Sequence, residues 1–256
     1  MTKKYRLLIE EENGVLRPDP NSPNCTLTEL GVNETLYRIV ALVDIPSKGI
    51  FKGMRGGWVA SEANLSQHGD CFVLDDAMVF DGALVAGNAL VSEDARVSGG
   101  ALVAGNAELY EEAHVTQNAE VHGDAVIRGR ATVTGNAFID APRGRVIVEG
   151  EAVISEFATI ESTVLYSDIT VSGKAQVKGA AKVYDEVSIS GHAIVEGRAA
   201  LHNKVKVSGD AIIKGHTYVI GQAVIDGGCY DLSIDNKALS EHDGLIETPD
   251  QVKQTV

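Results

Sequence analysis

The chain is 256 residues long, which is ample for a hydrophobic core, but only 5% of its residues are aromatic and 27 are glycine. Globular cores usually rely on Phe, Tyr and Trp, so this composition favours a fold packed from small and β-branched side chains. The formal net charge of −14 repels phosphate backbones and argues against a nucleic-acid partner.

Several classes of protein are disfavoured by what the sequence lacks. No apolar stretch approaches the roughly 18 residues of a membrane-spanning helix, so no membrane partner is predicted. Cys25, Cys71 and Cys229 lack the paired spacing of zinc ligands and fit reduced thiols. The first residues also lack the long apolar run of a signal peptide. We therefore expect a cytoplasmic protein without a metal.

The first part of the chain, residues 1–64, carries no repeat. Residues 4–11 and 37–45 read as short β-strands, and a loop rich in Pro and Asn lies between them. A stack of coils that began at residue 65 would expose unpaired strand edges at its first coil. We therefore expect residues 1–64 to form a small β cap over that end.

From residue 65 the sequence repeats with a period of six, as Ala-x-Val-x-Gly-Asn. Residues two apart on a strand point to the same side, and Gly-Asn pairs suit corners. Each unit therefore predicts one short strand and one corner, with the Ala and Val side chains inside. A helix is excluded because six does not match its period. The unbroken alanine series is Ala77, Ala83, Ala89, Ala95, Ala101, Ala107, Ala113, Ala119, Ala125, Ala131 and Ala137.

The repeat changes phase at only two places. Three extra residues occur within 141–145, and one residue is lost before Ile169. Altogether 25 clear units and two weaker ones place the repeat domain at residues 65–228. Residues 229–256 are polar and less regular, and we expect them to form a C-terminal tail or cap.

This unit resembles that of the hexapeptide-repeat superfamily, in which three units form each coil. The resemblance implies an all-β fold, a left-handed parallel β-helix of about eight coils, with the N-terminal β cap added. Residues 37–80 further resemble the YdcK-like branch of bacterial hexapeptide-repeat proteins, often labelled transferases. The matching segments are Gly56-Gly57-Trp58-Val59, Asn64-Leu65-Ser66-Gln67 and Gly69-Asp70-Cys71.

The resemblance also implies one enzymatic activity. Many members of the superfamily are trimeric acyltransferases. They bind acyl-CoA between the three-sided β-helices, or prisms, of adjacent subunits and use a His as general base. His114 and His122, which point outward on adjacent units, are the candidate catalytic residues, and a plain solvent-facing role is the alternative for both. The insertion within 141–145 is shorter than the acceptor loop of such enzymes. No nucleotide-binding loop is present, so acyl-CoA is the only ligand implied.

If three units form a coil, side chains 18 residues apart stack on one face. Leu84 and Leu102 then form one apolar patch, and Phe72 and Leu90 belong to a second. Clustered outward apolar groups usually mark a covered surface, and the cover is either the N-terminal segment or another subunit. These four residues are the candidate oligomer-interface residues.

Three functions remain open at this point. The first is a non-catalytic structural or binding protein, whose rigid prism contacts itself or a protein partner. The second is the acyl-CoA-dependent acyltransferase, and the third is an acidic decoy for a nucleic-acid-binding protein. The first two predict a homo-oligomer, either a trimer or a dimer.

Overall fold

The structure is a computed structural model that describes residues 3–12, 15–18, 25–26, 35–141, 145–161, 163–231 and 238–240. Most of the predicted C-terminal segment, 229–256, lies outside the described residues. Within the described residues, no helix combines the length and apolar character needed to cross a membrane. The helical elements described are two short 3-10 turns, Pro46–Lys48 and Glu62–Asn64.

Six strands, numbered in chain order, precede the repeats. They are β1 (Tyr5–Leu7), β2 (Ile9–Glu12), β3 (Val15–Pro18), β4 (Cys25–Thr26), β5 (Thr35–Ala41) and β6 (Arg55–Val59). Strand β5 pairs antiparallel with β1, β4 and β6, while β2 and β3 form a separate antiparallel pair. The pairs within the cap are therefore antiparallel, unlike those of the repeats.

Each repeat unit forms one short strand, and successive strands pass to the next of three faces. The first face contains β7 (Phe72–Val73), β10 (Leu90–Val91), β13 (Glu108–Leu109), β16 (Ala125–Ile127), β19 (Val146–Val148), β22 (Val164–Tyr166), β25 (Lys182–Tyr184), β28 (Ala200–Leu201), β31 (Tyr218–Ile220) and β34 (Ala238–Ser240). The second contains β8 (Met78–Val79), β11 (Arg96–Val97), β14 (His114–Val115), β17 (Thr132–Val133), β20 (Val153–Ile154), β23 (Thr170–Val171), β26 (Ser188–Ile189), β29 (Lys206–Ser208) and β32 (Val224–Asp226). The third contains β9 (Leu84–Val85), β12 (Leu102–Val103), β15 (Glu120–Val121), β18 (Phe138–Asp140), β21 (Thr159–Glu161), β24 (Gln176–Val177), β27 (Ile194–Val195), β30 (Ile212–Lys214) and β33 (Cys229–Asp231).

The parallel stack has nine turns, one more than the eight predicted. The difference arises at both ends, where the units depart from the Ala-x-Val pattern. Phe72–Val73 forms a full strand, and Cys229–Asp231 pairs in parallel with β30. Backbone pairing continues beyond the clear repeat because a strand needs only a neighbour's N–H and C=O groups. The fold is thus the predicted all-β parallel β-helix with an N-terminal β cap.

Strands on one face keep a constant register despite the two changes of phase. Paired residues are 18 apart in most of the stack, as in Leu84 and Leu102. Across the insertion the spacing becomes 21, as in Thr132 and Val153, and across the deletion it becomes 17, as in Val153 and Thr170. The insertion is absorbed at a corner, as predicted. The deletion also falls at a corner but one unit earlier than predicted, because the buried residues Ile160 and Leu165 are only five positions apart and Leu165, not Val164, points inward. A shift within a strand would turn its inner side chains outward.

Small inward side chains fill the prism. Ala95 and Val97 are completely buried, as are the other Ala and Val residues at the inward positions of the repeat. Corners require left-handed backbone, which glycine adopts without strain. At Gly105, for example, φ is 70° and a Cβ atom would lie 2.6 Å from the Gly123 nitrogen of the next coil. The coils therefore stack too closely at this corner for any side chain.

The cap joins the stack through β6, which pairs in parallel with β8. A Cβ atom on Gly56 would lie 2.5 Å from the Val73 carbonyl oxygen and 2.7 Å from the Phe72 ring. Only glycine lets β6 approach the first coil so closely. The cap strands extend the sheet of the second face to 13 strands, so the first coil has no open edge on this face.

Candidate functional site

The candidate site lies on the third face, where outward side chains form two columns. One column runs from Leu84 to Leu102, Glu120 and then Phe138, each paired in register with the next. The other column holds the residues two positions later in the chain, which are Ala86, Ala104, His122 and Asp140. Neighbouring strands are about 4.8 Å apart, so four coils bring apolar, acidic and aromatic groups onto one short surface.

The first two coils of this face present an apolar strip, defined as Leu84, Ala86, Leu102 and Ala104. Leu84 has 36% of its surface exposed, and the other three side chains are half-buried. No charged side chain stands in either column at these two coils. The strip is thus accessible to another molecule.

Outward apolar residues at the start of the other two faces are covered. Phe72, on the first face, is completely buried and packs with Ile39 of the cap in one hydrophobic cluster. Leu90 is half-buried beside it. On the second face, Trp58 and Phe80 are buried together. Of the four candidate interface residues, Phe72 has no surface left for a partner, because the cap occupies it.

His122 stands directly after the apolar strip. Its Nε2 lies 3.1 Å from a Glu120 carboxylate oxygen, and its ring centroid is 5.6 Å from that of Phe138. Both members of the pair keep contact with solvent, since the side chains of His122 and Glu120 are 27% and 50% exposed. When Nε2 carries the hydrogen and donates a hydrogen bond to the Glu120 carboxylate, the lone pair of Nδ1 is free to accept a proton. A carboxylate that fixes an imidazole in this way is a common feature of histidine bases.

His114 lies on another face. It stands on the second face, between Arg96 and Thr132 in the register. Burial lowers the pKa of His114, and the positive charge of Arg96 lowers it further, while Glu112 acts in the opposite direction. Burial and Arg96 thus both favour the neutral form of the ring. The structure does not bring the two predicted histidines together, because successive units always occupy different faces.

The first face carries a column of aromatic side chains that was not predicted from the sequence. Tyr166 stacks on Tyr184 with ring centroids 5.4 Å apart, and Tyr184 stacks on His202 at 4.5 Å. Tyr218 leans against His202 with a centroid distance of 5.0 Å. Burial lowers the pKa of His202, and Asp185 opposes this. The 18-residue spacing of Tyr166, Tyr184 and His202 would have revealed the column. Tyr184 and His202 have an aromatic neighbour on both sides, while Tyr218 at the end of the column is 38% exposed.

Acidic residues form paired rows at one corner, between the first and second faces. The rows are Asp75-Asp76, Glu93-Asp94 and Glu111-Glu112. One carboxylate of each row accepts a backbone N–H from the next coil: Asp75 from Glu93, Glu93 from Glu111 and Glu111 from Gly129. Half of these carboxylates therefore hold the coils together. Of the other half, Asp76 and Glu112 form ion pairs with Arg38 and Arg130, so the rows present no continuous line of unpaired negative charge.

The described residues contain no cluster of three or more His, Cys, Asp or Glu side chains suited to a metal ion.

Comparison with known proteins gives one partial match. No protein-family profile matches the chain. The uncharacterized acetyltransferase YdcK of Escherichia coli strain K12 is 31% identical over 87 residues, which are 34% of this chain and 23% of that relative. The match thus spans less than a quarter of the relative's length. Together with the parallel coils, it supports describing the chain as a hexapeptide-repeat β-helix.

Proposed function

We propose that the chain is a non-catalytic binding protein that associates with further copies of itself through the third face. The observation that carries this proposal is the unequal cover of the three faces. The cap buries the outward apolar groups at the start of the first and second faces, but it leaves the apolar strip exposed. A soluble chain with −14 formal charge has little reason to keep such a strip unless a partner covers it.

The rigidity of the prism supports association. A stack whose strands are hydrogen-bonded on both sides loses little conformational freedom on binding, so less of the contact energy is lost to ordering. Stable dimers bury roughly 800 Å² per partner, which is more than the apolar strip alone supplies. The contact must therefore continue along the third face past Glu120 and Phe138.

Substitution of the apolar strip is expected to dissociate the oligomer. In the double variant Leu84→Asp/Leu102→Asp, each protomer would place two carboxylates in the contact, where desolvation costs several kcal/mol. Light scattering after size-exclusion chromatography should show a fall in mass to that of a single chain. Val153→Asp is the matched control, because Val153 is also 36% exposed but lies on the second face. An unchanged mass for the double variant, or the same dissociation in the control, contradicts the proposal.

A second function, acyl transfer, is favoured by the His122–Glu120 pair and by the name of the partly matching relative. In this arrangement an acyl-CoA would lie over the apolar strip with its thioester beside His122. The imidazole would accept the proton of an acceptor hydroxyl or amine as that group attacks the thioester carbonyl, and the CoA thiolate would leave. Glu120 would keep the ring oriented and stabilise the imidazolium formed.

If this second function holds, His122→Asn should lower the rate of CoA release from acetyl-CoA by about 100-fold or more, since a positioned base contributes about that much. The assay measures free thiol in the presence of hydroxyl and amine acceptors. Binding of acetyl-CoA, followed by calorimetry, should persist in the variant. His114→Asn is the control and should be unaffected, because His114 lies on another face. Absence of any heat when acetyl-CoA is added to the unsubstituted protein rules the activity out.

A further inference from the structure

The N-terminal strand is attached to the first coil by side chains from both. Lys3 forms an ion pair with Glu62 at 2.7 Å. The Tyr5 hydroxyl, fully buried, donates to the Leu65 carbonyl at 2.6 Å. The Gln67 side-chain oxygen accepts the backbone N–H of Lys4 at 2.8 Å. Residues 3–5 are therefore held against residues 62–67.

At the centre of this attachment, a buried lysine amine lies against a buried thiol. Only 5% of Lys4 is exposed, and Cys71 is completely buried. The Lys4 Nζ lies 3.2 Å from the Cys71 Sγ and 3.0 Å from the Gly69 carbonyl oxygen. Among the described residues, no carboxylate forms an ion pair with Lys4. The amine thus has a carbonyl and a thiol as its only described partners.

This environment is unusual for a lysine, because burying an ammonium group without an anion is costly. The cost falls when the amine is neutral or when the thiol gives up its proton to become the anion. A neutral amine makes the nitrogen nucleophilic, and a thiolate makes the sulfur nucleophilic. In both cases the nucleophilic atom is already in contact with the other one, since Nζ and Sγ are 3.2 Å apart. Burial raises the pKa of the Cys71 thiol, and the charge of Lys4 acts in the opposite direction. Because the thiolate is the reactive form, Cys71 is expected to react slowly.

We propose that Lys4 and Cys71 form a site of oxidative cross-linking, which a peroxide converts into a covalent bond between Nζ and Sγ. In the first step, the thiol attacks hydrogen peroxide, the O–O bond breaks, and a sulfenic acid and water form. In the second step, the Lys4 nitrogen, once it has lost its ammonium proton, attacks the sulfur. The N–S bond forms as the S–O bond breaks, and the hydroxyl leaves with an amine proton as water. The sulfur is oxidised by two electrons and the peroxide is reduced.

The bond would fix the cap to the stack. It closes a loop between residues 67 positions apart and so removes conformational freedom from the opened state. The attachment of β1, which now depends on noncovalent contacts, would then persist until a thiol reductant cleaves the bond. The proposal is independent of the proposed function, because the third face takes no part in it.

The test uses the full chain in a Cys25→Ser/Cys229→Ser background, so that Cys71 is the one thiol present. After treatment with hydrogen peroxide, peptide mapping should join the peptides of Lys4 and Cys71 with a mass about 2 Da below their sum, counted apart from any sulfoxide formed at Met1, Met54 or Met78. The melting temperature should rise by about 5 °C or more, and dithiothreitol should reverse both changes. In Lys4→Met, which keeps the bulk of the side chain, no cross-linked peptide should form, and mapping should place added oxygen on Cys71 as well as on methionine.

Three results would overturn the proposal. One is the absence of a cross-linked peptide after prolonged treatment. Another is a cross-linked peptide with a gain of about 14 Da over the sum, which means that an oxygen is retained on the bonded sulfur. The third is a cross-linked peptide containing a lysine other than Lys4. Because mapping is done on the background protein itself, the test does not depend on whether Lys4→Met folds.

Discussion

Replacing Gly105 by alanine is expected to destabilise the protein by about 2–4 kcal/mol. Two effects add. The backbone of Gly105 is left-handed, with φ of 70°, which costs an L residue about 1 kcal/mol or more. In addition, the new Cβ would lie 2.6 Å from the Gly123 nitrogen and 3.1 Å from its Cα. The obstacle is backbone, so the corner of the next coil must move. Denaturant unfolding followed by circular dichroism measures the loss.

Gly227→Ala is the matched control for this prediction. Gly227 is also a left-handed corner residue, with φ of 84°, but no atom lies within 4 Å of the position its Cβ would take. The control variant therefore has the backbone strain of a left-handed alanine but no overlap between its Cβ atom and the next coil. We expect its free energy of unfolding to fall by about 1 kcal/mol. Equal losses in the two variants would mean that the close stacking of corners does not limit which residues they accept.

The periodic part of the fold could be predicted because each unit meets the same surroundings. Ala95 and Val97 point inward for the same reason as every other Ala and Val two residues apart. Three units per coil then determines the register, which is why Leu84 stands beside Leu102. The insertion within 141–145 could also be assigned to a corner, since a shift within a strand would turn the core residues outward.

The non-periodic contacts could not be predicted. Both Phe72 and Leu84 are outward apolar residues in the repeat, yet the first is buried and the second exposed. What separates them is the docking of β6, and that depends on Gly56 rather than on any property of the repeat. The Lys4–Cys71 contact joins residues 67 positions apart, with no pattern to connect them.

The separation of His114 and His122 could have been deduced. His122 lies eight residues after His114 and so belongs to the next six-residue unit, and three units per coil place adjacent units on different faces. A pair that shares a face must be about one coil apart, or two positions apart within one repeat unit. His122 and Glu120 satisfy the second condition, which makes their contact a direct result of strand geometry.

The cap should detach when Phe72 is shortened. Phe72→Ala removes a fully buried ring that packs with cap residues, and such truncations cost about 3–5 kcal/mol. In a stack where each coil contacts only its neighbours, the loss should remain local. Hydrogen exchange should therefore speed up in β1, β5 and β6 and in the first coil, while β26 keeps its protection.

Phe157→Ala removes the same side chain from an exposed position, since Phe157 is 59% exposed at a corner, and it should change stability by less than about 0.5 kcal/mol. If Phe72→Ala behaved like this control, the cap would be held by its backbone pairing with the stack alone. If instead exchange rose evenly along all nine turns, the cap and the stack would unfold as one cooperative unit. The expected result lies between these two, because the Phe72 ring joins the cap to the first coil while the later coils depend on their own neighbours.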